Sequence, residues 1–154
     1  MLEVGVPSGD FVLQPGSSCV LLGAGVGITP LLSIMKVAAQ SELDTTLIYR
    51  ASDEASHPFR GEIETVMGQG GAAVHWMYSD NKVSLRYLEK LFFIVIFQED
   101  SAKYNSENLD RLITDKSSKV YICGPPGFIT DSVRLLEEIG VPSENVLYEY
   151  FGPE

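Results

Sequence analysis

The chain has 154 residues, enough for one domain with a sizeable core and too few for two full ones. Hydrophobic residues make up 45% and charged residues 21%, a globular mixture rather than a disordered one. Acidic residues outnumber basic ones, 21 to 11, and the formal charge of −10 repels a nucleic-acid duplex or an anionic membrane, so neither is an expected partner.

Residues 2–13 read as an extended piece with a turn at Pro7, Ser8, Gly9 and Asp10, and residues 14–18 as a short linker. The N-terminus lacks the basic start and apolar core of a signal peptide. The run Cys19, Val20, Leu21, Leu22 is apolar without alternation, which suits a strand covered on both faces. A glycine cluster, Gly23-Ala24-Gly25-Val26-Gly27-Ile28, follows directly. Thr29 and Pro30 then open a helix, as N-cap and first helical residue, with Leu31, Ile34, Met35 and Ala38 on one face. A strand over 45–49, a helix over 62–67 and a strand over 73–78 come next.

Residues 83–91 fit a helix, and 92–97 have strand propensity without charge, an aggregation hazard if exposed. The apolar stretch 91–97 is too short to span a bilayer. A helix over 107–113 and a strand over 119–123 follow. Ile129, Val133 and Leu136 mark a further helix, stopped by Gly140 with Pro142 beyond, before a last strand over 146–150. The alternation of strand and helix predicts an α/β fold: a doubly wound, mostly parallel five-stranded sheet with helices on both faces.

The glycine cluster lies between a strand and a helix, where unpaired N–H groups and the positive end of the helix dipole favour a phosphate. Its spacing is not G-x-G-x-x-G, and no P-loop lysine follows. The bland alternative is a turn whose glycines serve tight packing. A second cluster, Cys123-Gly124-Pro125-Pro126-Gly127-Phe128, has the same strand-to-helix context. Both would lie at the carboxyl edge of the sheet, where open α/β sheets bind ligands. Cys123 reads either as a small buried hydrophobe or as a crevice residue. The third cluster is the aromatic end Tyr148-Glu149-Tyr150-Phe151-Gly152-Pro153, core by default, with a carboxylate that can tune a cofactor site.

Other chemistry is sparsely supported. No nucleophile elbow and no H-E-x-x-H helix occur. His57, beside Pro58, reads as a surface residue and His75 as a strand residue. Asp53 reads as a solvated acid, or as a partner for a ribose. Arg50, just past the second strand, is either a surface arginine or a partner for a 2′-phosphate. Cys19 and Cys123 lack metal-ligand spacing, so no metal site is expected, and two free thiols suit a reducing cytoplasm.

Together, G-A-G-V-G-I-T-P, C-G-P-P-G-F and Y-E-Y-F-G-P, in this order and near these separations, resemble the ferredoxin–NADP reductase superfamily. The ending from Asn145 to Pro153 looks most like that of flavohaemoglobins, the nitric oxide dioxygenases, and Pro7 to Phe11 resembles the last strand of their flavin domain. The resemblance implies that 1–17 are the remnant of a flavin-binding domain and its linker. It makes 18–154 an NAD(P)H-binding domain, with an atypical segment near 82–104. Such a domain receives NADH or NADPH and passes hydride to FAD, which a flavin domain holds in cis or in trans; haem belongs to the full-length family only.

The implied cofactor-binding set is Gly23, Ala24, Gly25, Val26, Gly27, Thr29, Pro30, Arg50, Gly124, Pro125 and Phe128. Gly23, Gly25 and Gly27 would line the pyrophosphate, with Thr29 near the nicotinamide end. Cys123 and Gly124 would flank the nicotinamide, with Glu149 and Phe151 beside the flavin ring, so Cys123, Glu149 and Phe151 form the implied catalytic group. The family's R-x-Y-[ST] flavin motif and its globin domain have no counterpart in this sequence, which implies that this chain alone does not carry out nitric oxide dioxygenation. The flavohaemoglobin likeness leans to NADH. The competing reading is a non-catalytic nucleotide-binding or interaction module.

Overall fold

The computed structural model describes residues 9, 11–14, 18–53, 57–69, 72–78 and 103–150. The expected elements at 83–97, the aromatic Phe151 and most of the first extended piece lie outside the described residues.

Five strands, β1 (Cys19–Ala24), β2 (Thr45–Ala51), β3 (Ala72–Tyr78), β4 (Lys119–Gly124) and β5 (Val146–Tyr150), form one sheet in the order β3-β2-β1-β4-β5. Every pairing is parallel. β1 is buried along its whole length, as its unbroken apolar run requires of a central parallel strand. Alternate residues of each strand supply two cores. One face carries Leu21, Leu47, Tyr49, Trp76 and Tyr121 beneath helices α1 (Ile28–Gln40) and α2 (Arg60–Gly68). The other carries Leu22, Ile48, Met77 and Ile122 beneath α3 (Ser106–Leu112) and α4 (Pro126–Glu138). The expected doubly wound α/β architecture is therefore present, with a wholly parallel sheet.

Local chemistry accounts for three helix ends. Asn105 caps α3 by accepting a hydrogen bond from the Asn108 N–H at 3.0 Å. Pro126 occupies the first position of α4, where a missing N–H costs nothing. Gly140, at φ +83°, ends α4, and the Val141 N–H returns to the Leu136 carbonyl at 3.0 Å.

The start of α1 departs from expectation. Its N-cap is Gly27, with no side-chain cap, so Thr29 and Pro30 are its second and third residues. A 3₁₀ turn at Gly25–Gly27 begins the helical path before Thr29 can cap it. Pro30 is tolerated because N–H groups in a first helical turn have no partner within the helix. His57 also departs from expectation. It is half-buried, with its ring 4.4 Å from Trp76, 5.0 Å from Tyr78 and 5.8 Å from Tyr49. The aromatic side chains of β2 and β3 form a bed that a polar-looking loop sequence does not reveal. His75 lies in β3, as expected.

Burial of Cys123 pushes its thiol up to about 11 from an ordinary value near 9.0, with the charge of Glu149 adding to the rise. Burial raises Cys19 as well, partly offset by its hydrogen bond with Thr45. Between pH 9 and 11 the folded chain therefore holds thiol protons that the unfolded chain releases. This contribution is complete below pH 9 and is lost as pH rises toward 11. Urea midpoints measured from pH 8 to 11 are expected to fall more steeply for the wild type than for Cys123→Ala; parallel profiles would remove Cys123 as the source.

Candidate functional site

The carboxyl ends of β1, β2 and β4 converge on a crevice of about 410 Å³, lined by Ala24, Gly25, Tyr49, Arg50, Ala51, Ser52, Pro125 and Phe128. Its size is that of a small-molecule site. It opens where the strand order reverses: β1 leads to β2 and β3 on one side, and β4 and β5 lie on the other. At such a switch point the loops after two adjacent strands part and leave room for a ligand.

The glycines of the first cluster do different jobs. Gly25 has φ +56°, a conformation that favours glycine, and a Cβ built there would meet nothing within 4 Å. It is exposed and faces open space beside the crevice. Gly27 is buried, and its Cβ would fall 2.0 Å from the Cys123 carbonyl oxygen and 2.7 Å from the Gly124 nitrogen. It lets the start of α1 press directly on the last peptide of β4. Gly23 is also a packing glycine, with a built Cβ 2.9 Å from Leu31 Cδ1 and 3.1 Å from Tyr49 Cδ2. The packing reading of the cluster holds at Gly23 and Gly27, which are enclosed, whereas Gly25 is exposed with open space around it.

Side chains fix the turn. The Tyr49 hydroxyl donates to the Gly25 carbonyl at 2.8 Å, and the Thr29 hydroxyl donates to the Val26 carbonyl at 3.0 Å. Val26 itself is exposed. The Ile28 N–H also turns back to the Gly25 and Val26 carbonyls, so both carbonyls of the turn are engaged and its shape is fixed. Gly124 serves the opposite wall. A Cβ there would lie 2.8 Å from Phe128 Cδ1 and 3.2 Å from Ala24 Cβ, so its absence lets Phe128 close against β1.

The implied catalytic residues are brought together in part. Cys123 and Glu149 are register partners across β4 and β5. The Cys123 thiol is buried and neutral, so in this structure it meets a ligand only if a neighbour moves, and its carbonyl is what receives Gly27. Glu149 is exposed between Tyr148 and Tyr150, whose rings lie 5.5 Å apart. Among the expected cofactor residues, Ala24, Gly25, Arg50, Pro125 and Phe128 line the crevice. Tyr49, Ala51 and Ser52 line it too, although the sequence reading passed over them. Ser52 and Asp53 follow β2 and are exposed. A strand-end Tyr before the Arg gives no local signal of its role, because its partner Gly25 lies in another element.

The family model described as the oxidoreductase NAD-binding domain matches residues 21–134. The chain belongs to that family. Relatives of this NAD-binding domain include the flavohemoprotein of Bacillus subtilis, 32% identical over 157 residues, covering 99% of this chain and 38% of that protein. Flavohemoprotein A of Dictyostelium discoideum is 32% identical over 154 residues, covering 96% of this chain and 34% of that protein. The domain thus spans little more than a third of these curated relatives. Among solved structures it resembles the flavohem-like FAD/NAD-binding domain of nitric oxide dioxygenase from Vibrio cholerae, with a TM-score of 0.69 and 26% identity over 96% of this chain and 56% of that one. The flavohemoglobin of Malassezia yamatoensis with bound FAD and haem gives a TM-score of 0.72 and 25% identity over 98% of this chain and 39% of that one. Among the described residues of the NAD-binding domain, no helix is long and apolar enough to cross a membrane.

Two substitutions separate the glycine roles. Gly27→Ala is expected to cost about 3 kcal/mol or more, because backbone rather than a flexible side chain blocks the new methyl. Gly25→Ala should cost only about 1–2 kcal/mol, from the left-handed backbone alone. Thermal unfolding of the two variants checks the order, and equal losses would contradict it. Tyr49→Phe should lose about 1 kcal/mol with the hydrogen bond to Gly25; an unchanged melting temperature would show that the bond contributes nothing to stability.

Proposed function

We propose that this chain is the pyridine-nucleotide module of a flavin-dependent oxidoreductase of the flavohaemoglobin kind, passing reducing equivalents to FAD held by a flavin-binding domain in cis or in trans. The crevice at the β1/β4 switch point, with the open Gly25 turn at its rim, carries this reading. The groups present suit a dinucleotide: the exposed Gly25-Val26 turn for the pyrophosphate, the Arg50 guanidinium, and apolar walls at Ala24, Ala51, Pro125 and Phe128. When bound, the reduced nicotinamide supplies a hydride that FAD accepts, chemistry that side chains cannot perform themselves.

The chain's own residues bind, orient and exclude water. Gly25 and Val26 bring backbone N–H groups to the phosphates, and Thr29 holds their turn in shape. Phe128 and Pro125 shield one wall. Gly124 and Glu149 stand at the ends of β4 and β5, on the edge where Val26 and Tyr150 are exposed. That apolar rim suits the flavin domain, and Glu149 offers it a hydrogen-bond acceptor. Nitric oxide dioxygenation belongs to the whole protein of which this domain would be a part, and haem to that protein's globin portion. Two free, buried thiols fit a cytoplasmic location.

Calorimetric titration with NADH, and separately with NADPH, is expected to give saturable binding that Gly25→Val weakens at least tenfold, since a β-branched residue resists positive φ. Adding a flavin-binding domain of the family should then start nucleotide oxidation. Binding without oxidation would favour the non-catalytic module, and binding of neither nucleotide would remove the reading altogether.

A further inference from the structure

Among the described residues, Arg50 is the one charged residue lining the crevice. It is half-buried, and among the described residues it has no carboxylate partner. Its guanidinium carbon instead stands 5.8 Å from the centre of the Tyr104 ring, the geometry of a cation over an aromatic face. A partly desolvated cation without a carboxylate partner among the described residues, in a chain of net charge −10, suits an anionic ligand.

Tyr104 is itself held from behind. Its hydroxyl lies 2.6 Å from Ser132 Oγ. Ser132 is fully buried and donates its proton to the Phe128 carbonyl at 2.6 Å, so Tyr104 is the donor to Ser132. The Tyr104 ring also lies 5.2 Å from that of Phe128, which forms the opposite wall of the crevice. A chain of contacts thus runs from Arg50, at the end of β2, through Tyr104 and Ser132 to Phe128 on α4.

We propose that Tyr104 is a positioning residue of the nucleotide crevice, holding the Arg50 guanidinium in place for a phosphate group of the bound nucleotide. This rests on the nucleotide reading above and adds a residue to it. A free arginine side chain loses rotamer freedom when it meets a ligand; one already held against a ring has lost most of it beforehand, and binding is tighter for that. Arg50 stands on β2, three strand spacings or roughly 14 Å across the sheet from β5 and Glu149. It therefore serves the end of the nucleotide away from Glu149. The phosphate belongs either to the pyrophosphate, common to NADH and NADPH, or to the 2′-phosphate of NADPH.

A double-mutant cycle on the full chain tests this, with dissociation constants for NADH and NADPH from calorimetry. Tyr104→Leu should weaken binding roughly tenfold in the wild type and add nothing in an Arg50→Gln background, because the tyrosine acts through the arginine. Tyr104→Phe, which keeps the ring, should restore most of the affinity. Loss shared by both nucleotides assigns the pyrophosphate; loss confined to NADPH assigns the 2′-phosphate. Should Tyr104→Leu fail to fold, Tyr104→Met, which also removes the ring but keeps more of its bulk, carries the same comparison, with a loss that vanishes in Arg50→Gln. Equal losses in both backgrounds, or no loss in either, overturn the positioning role while leaving the nucleotide site intact. Wild-type chain that binds neither nucleotide overturns both.

Discussion

Helix α1 rests on the last peptide of β4 because Gly27 has no side chain to keep it away. That contact sets much of the carboxyl edge. It fixes where α1 begins, and so where the exposed Gly25 turn before it lies. It joins the loops after β1 and β4, which bound the switch point. It also buries Cys123 beneath the turn, so the thiol works as a compact neutral spacer at neutral pH. A larger residue at position 27 would push the helix start from the sheet and open the site from below.

The crevice balances enclosure against access. Gly23 and Gly124 let Tyr49 and Phe128 close on the strands, and Tyr49 then holds the turn by its carbonyl. Gly25 alone of the cluster is left with space around it. Electrostatics follow the same division. The chain carries a formal charge of −10, which opposes the approach of a dinucleotide, and among the described residues the Arg50 guanidinium lines the crevice. Binding specificity therefore depends on local geometry within an unfavourable overall field.

The architecture was legible because buried parallel strands leave long apolar runs and because glycine and proline mark their ends; β5 and the stop at Gly140 read directly. The start of α1 did not. Thr29-Pro30 is a strong local opening signal, yet the 3₁₀ turn at Gly25–Gly27 starts the helix earlier, a consequence of contact with β4 almost a hundred residues away. The glycine cluster drew attention to the site, but which glycine faces a ligand depends on neighbours from other elements. Tyr49, Ser52 and Tyr104 carried no local pattern at all, since their partners belong to different strands and helices. His57 was misread for the same reason: the rings that cover it come from β2 and β3.

The strand order has a consequence for how the molecule is made. β1 pairs with β4 in register from Cys19 opposite Lys119, so the centre of the sheet joins segments a hundred positions apart. On a ribosome, β1, β2 and β3 are all synthesised before β4, and 46 more residues must follow Tyr78 before β4 is complete. At ordinary elongation rates that interval lasts roughly 2–9 seconds. Throughout it, one side of β1 has backbone groups without partners, and the uncharged stretch 91–97 is being produced at the same time. Nascent chains of this protein would therefore pass through a period of exposure to chaperones and to one another, and its length is set by translation speed rather than by the stability of the finished fold.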